Sequence, residues 1–181
     1  MDKPFPRSDG PAGSGRDARR MVLGLGSNVG DRAGHLRAAI IALQETPGLT
    51  VLGVAPLYES PPAGGPEQGD YLNSAVLVDS ALPPQDVLAL ALGVERRLGR
   101  LREAGVRWGP RTLDIDVLWI EGTVVEEPGL SVPHPHLGER VFALRPLLDL
   151  APDARDPRSG ARYSGLAAAA LPIRELGRLP G

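Results

Sequence analysis

The chain of 181 residues contains no cysteine and only one lysine, Lys3. The absence of cysteine excludes disulfides, thiol catalysis and cysteine-ligated zinc. A nucleotide-binding loop of the Walker A type is also excluded, because that loop needs a lysine directly after its glycines. Any binding of phosphate must therefore depend on arginine. Its guanidinium group forms paired hydrogen bonds with phosphate oxygens and stays charged at all relevant pH values.

The sequence also lacks a strong charge of either sign and a long apolar segment. The formal net charge is -2, which gives no general attraction to nucleic acid. No apolar run is long enough for a membrane helix, and the first 20 residues lack the apolar core of a signal peptide. We therefore expect a cytoplasmic protein. Residues 1–20 are rich in proline, glycine, serine and charge, and they predict a disordered leader before one domain over residues 21–181.

The periodic segments that follow predict an α+β protein. Strands are expected at 21–27, 49–60, 71–80 and 113–120, with one helix after Asp31 and a second opened by Pro83 and Pro84. The order strand, helix, strand, strand, helix, strand is that of a ferredoxin-like βαββαβ sandwich. Such a sheet has helices on one face and can leave the other free for ligands. Beyond it we expect an added strand pair and C-terminal helices, one from about residue 138 and a last one over 163–176, interrupted by Pro172.

Two carboxylates in the last of these strands, Asp114 and Asp116, are the first candidates for chemistry. In a strand they project to the same face, about 7 Å apart. The opposite face would carry Leu113, Ile115, Val117 and Trp119. The carboxylate face turns apolar at Leu118 and Ile120, which a solvated polar face would not require. Such a pair can hold one or two Mg²⁺ ions that also bind phosphate oxygens. A haloacid-dehalogenase-like phosphatase is disfavoured, because "GPRT" replaces the apolar strand expected before its first aspartate.

Four arginines precede the carboxylates, in a helix end, a loop and the entrance to the strand: Arg100, Arg102, Arg107 and Arg111. Each could belong to an ordinary charged surface loop. With Mg²⁺ on the two acids, however, the arginines could neutralise the charge that spreads over transferring phosphoryl oxygens.

Other motifs leave further alternatives open. His134 and His136 flank a proline, but no third metal ligand is evident, so a hydrogen bond from His134 to phosphate is preferred and His136 is expected at the surface with His35. Phe142 is the only phenylalanine outside the leader, and it either packs in the core or stacks on a flat heterocycle opposite Tyr71. The glycines of "GLGSNVGD" lack dinucleotide-binding spacing and are predicted to be turn glycines. The long loop "PPAGGPEQGD" is a candidate functional loop.

Five segments, in order from about residue 21 to 153, resemble the 6-hydroxymethyl-7,8-dihydropterin pyrophosphokinase family: "LGLGSNVGDR", "YESPP", "DYLNSAV", "RWGPRTLDIDVL" and "VPHPHLGERVFALRPLLDLAPD". The resemblance implies a ferredoxin-like fold. It also implies transfer of the β,γ-pyrophosphoryl unit of ATP to the hydroxymethyl oxygen of the pterin, with AMP leaving, in folate biosynthesis.

The resemblance also implies roles for individual residues. Asp114 and Asp116 would hold two Mg²⁺ ions, and Arg100 and Arg111 would contact the phosphates. Glu95 falls at an acidic position of the family, without a defined role. The ATP side would further include Arg102, Trp108, His134 and Arg140. The pterin side would include Ser60, Pro61, Ala63, Tyr71, Asn73 and Phe142.

Two other classes of protein remain compatible with the residues alone: a metal-dependent phosphohydrolase that uses the same acids, and a non-catalytic nucleotide- or pterin-binding module. For the pyrophosphokinase we expect ATP and the pterin as the only partners, with no nucleic acid and no membrane. We also expect a monomer, and a loop over 101–112 that is mobile without ligand and orders over the substrates.

Overall fold

The computed structural model describes residues 18–99 and 109–179. Four predicted residues, Arg100, Arg102, Arg107 and Trp108, lie outside these ranges, as does most of the predicted mobile loop. In chain order the elements are β1 (Arg19–Ser27), α1 (Arg32–Gln44), β2 (Thr50–Val54), β3 (Leu57–Ser60), β4 (Tyr71–Ser80), α2 (Pro84–Arg97), β5 (Asp114–Ile120), β6 (Val125–Glu127), β7 (Leu130–Val132), α3 (Val141–Leu150) and β8 (Arg174–Gly177).

One antiparallel sheet in the order β5-β1-β4-β3-β8 organises the described residues, and β2 pairs with β4 alongside β3. Helices α1 and α2 pack on one face of this sheet and α3 on the other. The predicted βαββαβ sandwich is therefore confirmed, and so is the added strand pair, which β6 and β7 form. None of the described helices is long and apolar enough to span a membrane.

The first two helices begin where the sequence predicts. Asp31 is the N-cap of α1, and its Oδ1 accepts a hydrogen bond from the backbone N–H of Gly34 at 2.9 Å. Pro84 opens α2, at a position where the missing N–H costs no hydrogen bond. Helix α1 buries its apolar stripe against β1 and β4, and α2 buries its stripe against β5 and α1; Leu36, Leu43, Val87 and Val94 are fully enclosed.

The single strand predicted over 49–60 is wrong, because the structure divides it into β2 and β3. The interruption falls at Ala55 and Pro56, and proline has no N–H to give to a sheet. Ala55 still donates to the carbonyl of Ala75 at 2.9 Å, and Ser74 Oγ donates to the carbonyl of Ala55 at 3.0 Å. These bonds keep both halves beside β4.

The predicted alternation of β5 is also wrong beyond Val117. Across from β1, Leu23 pairs with Val117 and Val22 with Trp119, so Leu118 is an extra residue that forms a β-bulge. Trp119 therefore packs with Leu118 in the α3 layer, and Ile120 packs with Val117 against α1 and α2. The sequence had predicted the opposite, with Ile120 on the carboxylate face and Trp119 on the other face.

Two further differences concern the ends of the chain. Strand β1 begins at Arg19, within the predicted leader, and Arg20 donates to Glu121 at 2.9 Å; residues 1–17 lie outside the described ranges. Helix α3 is confirmed, but the last predicted helix is wrong: residues 163–170 form two short 3₁₀ turns, and β8 follows. The run of four alanines favours a helix locally but supplies no wide apolar stripe, and pairing of residues 174–177 with β3 prevails.

Candidate active site

A cavity of about 380 Å³ opens on the α3 face of the sheet, above β5, β1 and β4. It is lined by every predicted site residue that lies within the described ranges: Ser60, Pro61, Ala63, Tyr71, Asn73, Arg111, Asp114, Asp116, His134, Arg140 and Phe142. These residues come from β3, β4, β5, the loop over 61–70 and the segment before and within α3. The fold thus brings together side chains that are up to 82 residues apart in sequence, from Ser60 to Phe142.

The floor of the cavity is backbone, because two glycines of β1 lie opposite the two carboxylates. Gly26 pairs with Asp114, and Gly24 pairs with Asp116. On its other side, Gly26 pairs with Asn73 of β4. A Cβ atom on Gly24 would lie 2.9 Å from Leu118 Cδ1, closer than side chains tolerate. Both glycines lie inside the strand predicted over 21–27 and keep space open between the acids and β4. The prediction of turn glycines in this motif is therefore wrong for Gly24 and Gly26, although Gly30, with a φ of 66°, is a turn glycine.

The acid pair is partly neutralised by Arg111, which enters the cavity directly before β5. Its Nη1 donates to Asp114 Oδ2 in an ion pair between side chains that are 28% and 17% exposed. Burial alone would lower the pKa of the Arg111 guanidinium, but Asp114, Tyr71 and Asp116 together raise that pKa above its usual value. Arg111 therefore stays charged and carries a fixed positive charge beside the two carboxylates.

The donor set fits Mg²⁺ and does not fit a closed cage of protein ligands. Asp114 and Asp116 project into the same cavity from one strand face, with Asp116 exposed at its surface. Within residues 18–99 and 109–179, no group of three or more histidine, cysteine, aspartate or glutamate side chains could hold a metal. Mg²⁺ usually takes one or two carboxylates and keeps its other positions for water and substrate phosphates. Two carboxylates over a backbone floor match that requirement.

His134 is oriented by backbone contacts on both sides. Its N–H donates to the carbonyl of Leu118, the bulged residue, at 2.9 Å, and its Nδ1 accepts from the N–H of His136 at 3.2 Å. With Nδ1 as acceptor, the neutral ring carries its proton on Nε2. Burial, Arg140 and His136 together lower the pKa of His134, against a smaller opposite effect of Asp114. His134 is therefore a neutral hydrogen-bond donor near pH 7.

His136 is exposed, as predicted, yet it also lines the mouth of the cavity. Its Nδ1 lies 3.1 Å from Glu139 Oε2. Its backbone N–H also donates to His134 Nδ1, so His136 helps to orient the partly buried ring of His134.

The cavity lining also combines aromatic rings with one oriented amide. Asn73 is buried, and its Nδ2 donates to Ser60 Oγ at 3.0 Å and to the carbonyl of Tyr58 at 3.4 Å. Its Oδ1 is directed towards Gly26 at the cavity floor. Phe142 is half-buried, with the guanidinium carbon of Arg140 lying 5.8 Å from its ring centroid. A flat, polar-edged ligand could use both groups.

Two buried residues support the site: Asn28, which the sequence analysis missed, and Glu95, which it named without a defined role. Asn28 bonds the backbone of Arg111 and the loop over 61–70 through its side chain. Glu95, for which no role was defined, is buried on α2, and its Oε1 accepts from the N–H of Ile115, between the two aspartates, at 2.8 Å. Neither link leaves a local pattern, since each partner is at least 20 residues away. The period-two spacing of Gly24 and Gly26 was the one available signal for the floor.

The sequence matches the family model described as 7,8-dihydro-6-hydroxymethylpterin-pyrophosphokinase over residues 22–152. It is 46% identical over 134 residues to the 2-amino-4-hydroxy-6-hydroxymethyldihydropteridine pyrophosphokinase of Methylorubrum extorquens, covering 74% of this chain and 84% of that one. The protein of the same name from Pseudomonas aeruginosa is 39% identical over 163 residues, with 90% and 98% covered. That from Bacillus subtilis is 43% identical over 128 residues, with 71% and 75% covered.

The fold is also similar to a solved structure, the wild-type HPPK-DHPS of Plasmodium falciparum, with a TM-score of 0.62 and 13% identity. The match covers 83% of this chain and 44% of that longer one. At this identity the likeness supports the fold alone.

Proposed function

The chain belongs to the 7,8-dihydro-6-hydroxymethylpterin-pyrophosphokinase family and transfers the pyrophosphoryl group of ATP to 6-hydroxymethyl-7,8-dihydropterin in folate biosynthesis; we propose that the cavity above β5, β1 and β4 is where the two substrates meet. The observation that carries this proposal is the shared cavity. Its lining combines two acids and Arg111 with aromatic rings and an oriented amide. The first group suits a polyphosphate and the second a flat heterocycle.

Asp114 and Asp116 are the metal ligands in this proposal. Mg²⁺ ions bound there, two in number, would screen the polyphosphate charge and orient its oxygens for displacement. The carboxylates present their oxygens from one strand face over a backbone floor, which supports shared binding of metal and phosphate. Arg111, already charged beside Asp114, supplies guanidinium donors to the same phosphates.

The remaining phosphate contacts come from the segment before α3. The Nε2–H of His134 donates to a phosphate oxygen, and Arg140 adds a positive charge at the cavity wall. We assign Arg100, Arg102 and Trp108, outside the described ranges, to the ATP side on the family resemblance alone.

The pterin lies between Tyr71 and Phe142 in this proposal, next to Ser60, Pro61 and Ala63. Because the amide nitrogen of Asn73 is engaged by Ser60, its Oδ1 is the atom suited to accept a hydrogen bond from the amino edge of the pterin. The hydroxymethyl oxygen then points towards the acid pair.

In the reaction, the hydroxymethyl oxygen attacks the β-phosphorus in line. A bond forms between that oxygen and the β-phosphorus, the bond from the β-phosphorus to the bridging oxygen of the α-phosphate breaks, and AMP leaves with that oxygen. The hydroxyl proton passes to water or a phosphate oxygen. The chain contributes position and charge: Arg111, His134 and Arg140 contact the oxygens on which charge spreads.

The decisive experiment compares Asp116→Ala with Asp153→Ala, which removes an exposed carboxylate that does not line the cavity. Each protein is incubated with ATP, Mg²⁺ and the reduced hydroxymethylpterin, and AMP and pterin diphosphate are resolved. We expect Asp116→Ala to lose turnover by orders of magnitude with unchanged thermal unfolding, while Asp153→Ala keeps wild-type turnover. Near-normal turnover of Asp116→Ala would refute the metal assignment.

We also propose that the protein acts as a monomer. The exposed large apolar side chains of the described residues come from separate segments, among them Ile41 on α1, Leu52 on β2 and Val124 after β5. Light scattering during size-exclusion chromatography should give the mass of a single chain, and a dimer mass at micromolar concentration would contradict the proposal.

A further inference from the structure

Asn28 lies between β1 and α1, and both ends of its side-chain amide hydrogen-bond segments that are distant in sequence. Its Oδ1 accepts from the N–H of Arg111 at 2.8 Å, and its Nδ2 donates to Gln68 Oε1 at 2.9 Å and to the carbonyl of Gly69 at 3.2 Å. Its backbone N–H also donates to the carbonyl of Arg111 at 3.0 Å. The side chain is 8% exposed. Helix capping does not account for it, since Asp31 caps α1.

The first segment that Asn28 holds is the entrance to β5. One bond to the N–H and one to the carbonyl of Arg111 hold the backbone on both sides of the Cα from which the guanidinium reaches Asp114. A shift of this backbone therefore moves the cation on the phosphate side.

The second segment is the loop over 61–70, of which Pro61, Ala63 and Gly64 line the cavity. Gln68 relays the contact inward, because its Nε2 donates to the carbonyl of Gly64 at 3.2 Å. A shift of the amide of Asn28 therefore moves the wall on the pterin side.

We infer that Asn28 is a positioning residue that couples the two substrate subsites, so that occupation of one raises the affinity of the other. The inference rests on the proposed assignment of Arg111 to the phosphates and of the 61–70 loop to the pterin. When bound pterin orders the loop, the side-chain amide of Asn28 is held in place for Arg111. When bound nucleotide orders Arg111, the same amide is held in place for the loop. The coupling free energy is therefore the same whichever substrate binds first.

Arg32 offers a matched control, because it braces the same loop without contacting Arg111. Its Nη1 donates to the carbonyl of Asp70 at 2.8 Å, and its Nη2 donates to Glu59 Oε1 at 3.0 Å. If Asn28 only stiffened the loop, Arg32→Gln and a variant of Asn28 would behave alike.

The test uses the full chain, 6-hydroxymethyl-7,8-dihydropterin, Mg²⁺ and α,β-methylene ATP. In this analogue a CH₂ group replaces the oxygen between the α- and β-phosphorus, so the bond that breaks in the reaction is absent. Calorimetry measures the pterin Kd with and without saturating nucleotide analogue, and the ratio of the two is the coupling factor. We expect a factor of about 5 or more in the wild-type protein, the usual lower range for linked sites. The reverse titration, of the analogue with and without pterin, should give the same factor.

Asn28→Asp keeps the oxygen that faces Arg111 but replaces the donor to the loop with an acceptor. Gln68 could donate to this new acceptor only by turning its Nε2 away from the carbonyl of Gly64. We expect this variant to bind the analogue as the wild type does, to bind pterin more weakly and to show a coupling factor of about 1. Asn28→Ala removes both links and should show the same loss of coupling. Arg32→Gln should weaken pterin binding equally with and without the analogue, which leaves the factor unchanged.

A wild-type coupling factor in Asn28→Asp, with thermal unfolding intact, would overturn the inference, and so would a factor of 1 in the wild-type protein. Should Asn28→Ala fail to fold, Asn28→Asp still decides. Failure of the subsite assignment itself would show separately, as unchanged pterin affinity in Phe142→Ala, whatever the variants of Asn28 do.

Discussion

Phe142 contributes its ring to the cavity from the first turn of α3, where Arg140 lies 5.8 Å from the ring centroid. Phe142→Ala removes the proposed stacking surface, so we expect the pterin Kd to rise by about 5- to 150-fold, or about 1–3 kcal/mol. The Kd of α,β-methylene ATP, titrated alone, should stay near the wild-type value. Phe142→Tyr keeps the ring and serves as control. A loss of nucleotide affinity with unchanged pterin affinity would contradict the stacking role.

His134 gives a second prediction at this scale, through its depressed pKa. The unfolded chain takes up a proton on this ring below about pH 6.5, whereas burial, Arg140 and His136 keep the folded ring neutral to lower pH. The unfolded state therefore binds more protons as the pH falls below about 6.5, and this group lowers stability on acidification. Above about pH 6.5 both states are neutral, and the effect vanishes.

His134→Gln should therefore lose less Tm than the wild-type protein between pH 7.5 and pH 5.5. Calorimetric scans at matched ionic strength measure the difference. His35→Gln, which alters a histidine away from the cavity, is the control. An equal or larger acid loss in His134→Gln would contradict the depressed pKa.

Among the elements, β5 and α2 are joined by one buried carboxylate. Glu95 accepts the N–H of Ile115, so Glu95→Leu leaves that buried donor without its acceptor. We expect the free energy of unfolding to fall by about 1–3 kcal/mol. Glu95→Gln retains an oxygen acceptor and should lose clearly less. Urea denaturation checks both, with an unchanged m-value as evidence that the two states keep their surface area. Equal losses in the two variants would show that the bond to Ile115 is not what matters.

Some of these elements could be predicted from the sequence and others could not. Strands β1 and β5 and helices α1 and α2 have strong hydrophobic periodicity, and α1 also has its capping residue Asp31. The sequence predicts these four elements correctly. The bulge at Leu118 has no local mark, because it arises from pairing with Val22 and Leu23. Pro56 did mark the division of the second strand, but hydrophobic alternation outweighed it.

The candidate site divides in the same way. Its chemical residues, such as Asp114, Asp116 and His134, could be found from motifs, and the structure places them around one cavity. Asn28 could not, because its partners are 40 to 83 residues away and only the tertiary fold unites them. Gly24 and Gly26 lie in a strand that the sequence does predict, but spacing alone does not show that they form the floor of a site.

For the whole molecule, binding of nucleotide and metal should raise the temperature of unfolding together. At a concentration of α,β-methylene ATP 100 times its Kd, linkage adds about 2.7 kcal/mol. That corresponds to a rise in Tm of about 5–10 °C for a chain of this length. EDTA should remove most of the rise, and Asp116→Ala should show little of it with Mg²⁺ present. The same rise with and without EDTA would contradict a metal held by Asp114 and Asp116.

The extra residue in β5 also bears on how the gene can change in length. In an unbroken strand, the loss of one residue moves every later side chain to the opposite face. Here the loss of Leu118 would return β5 to plain alternation, with Asp114 and Asp116 still towards the cavity and Ile120 still towards α1 and α2. A one-codon deletion at this position is therefore compatible with the sheet. The deletion would remove the carbonyl that accepts the hydrogen bond from the backbone N–H of His134. A change in length at this position would therefore alter the active site while the sheet stays intact.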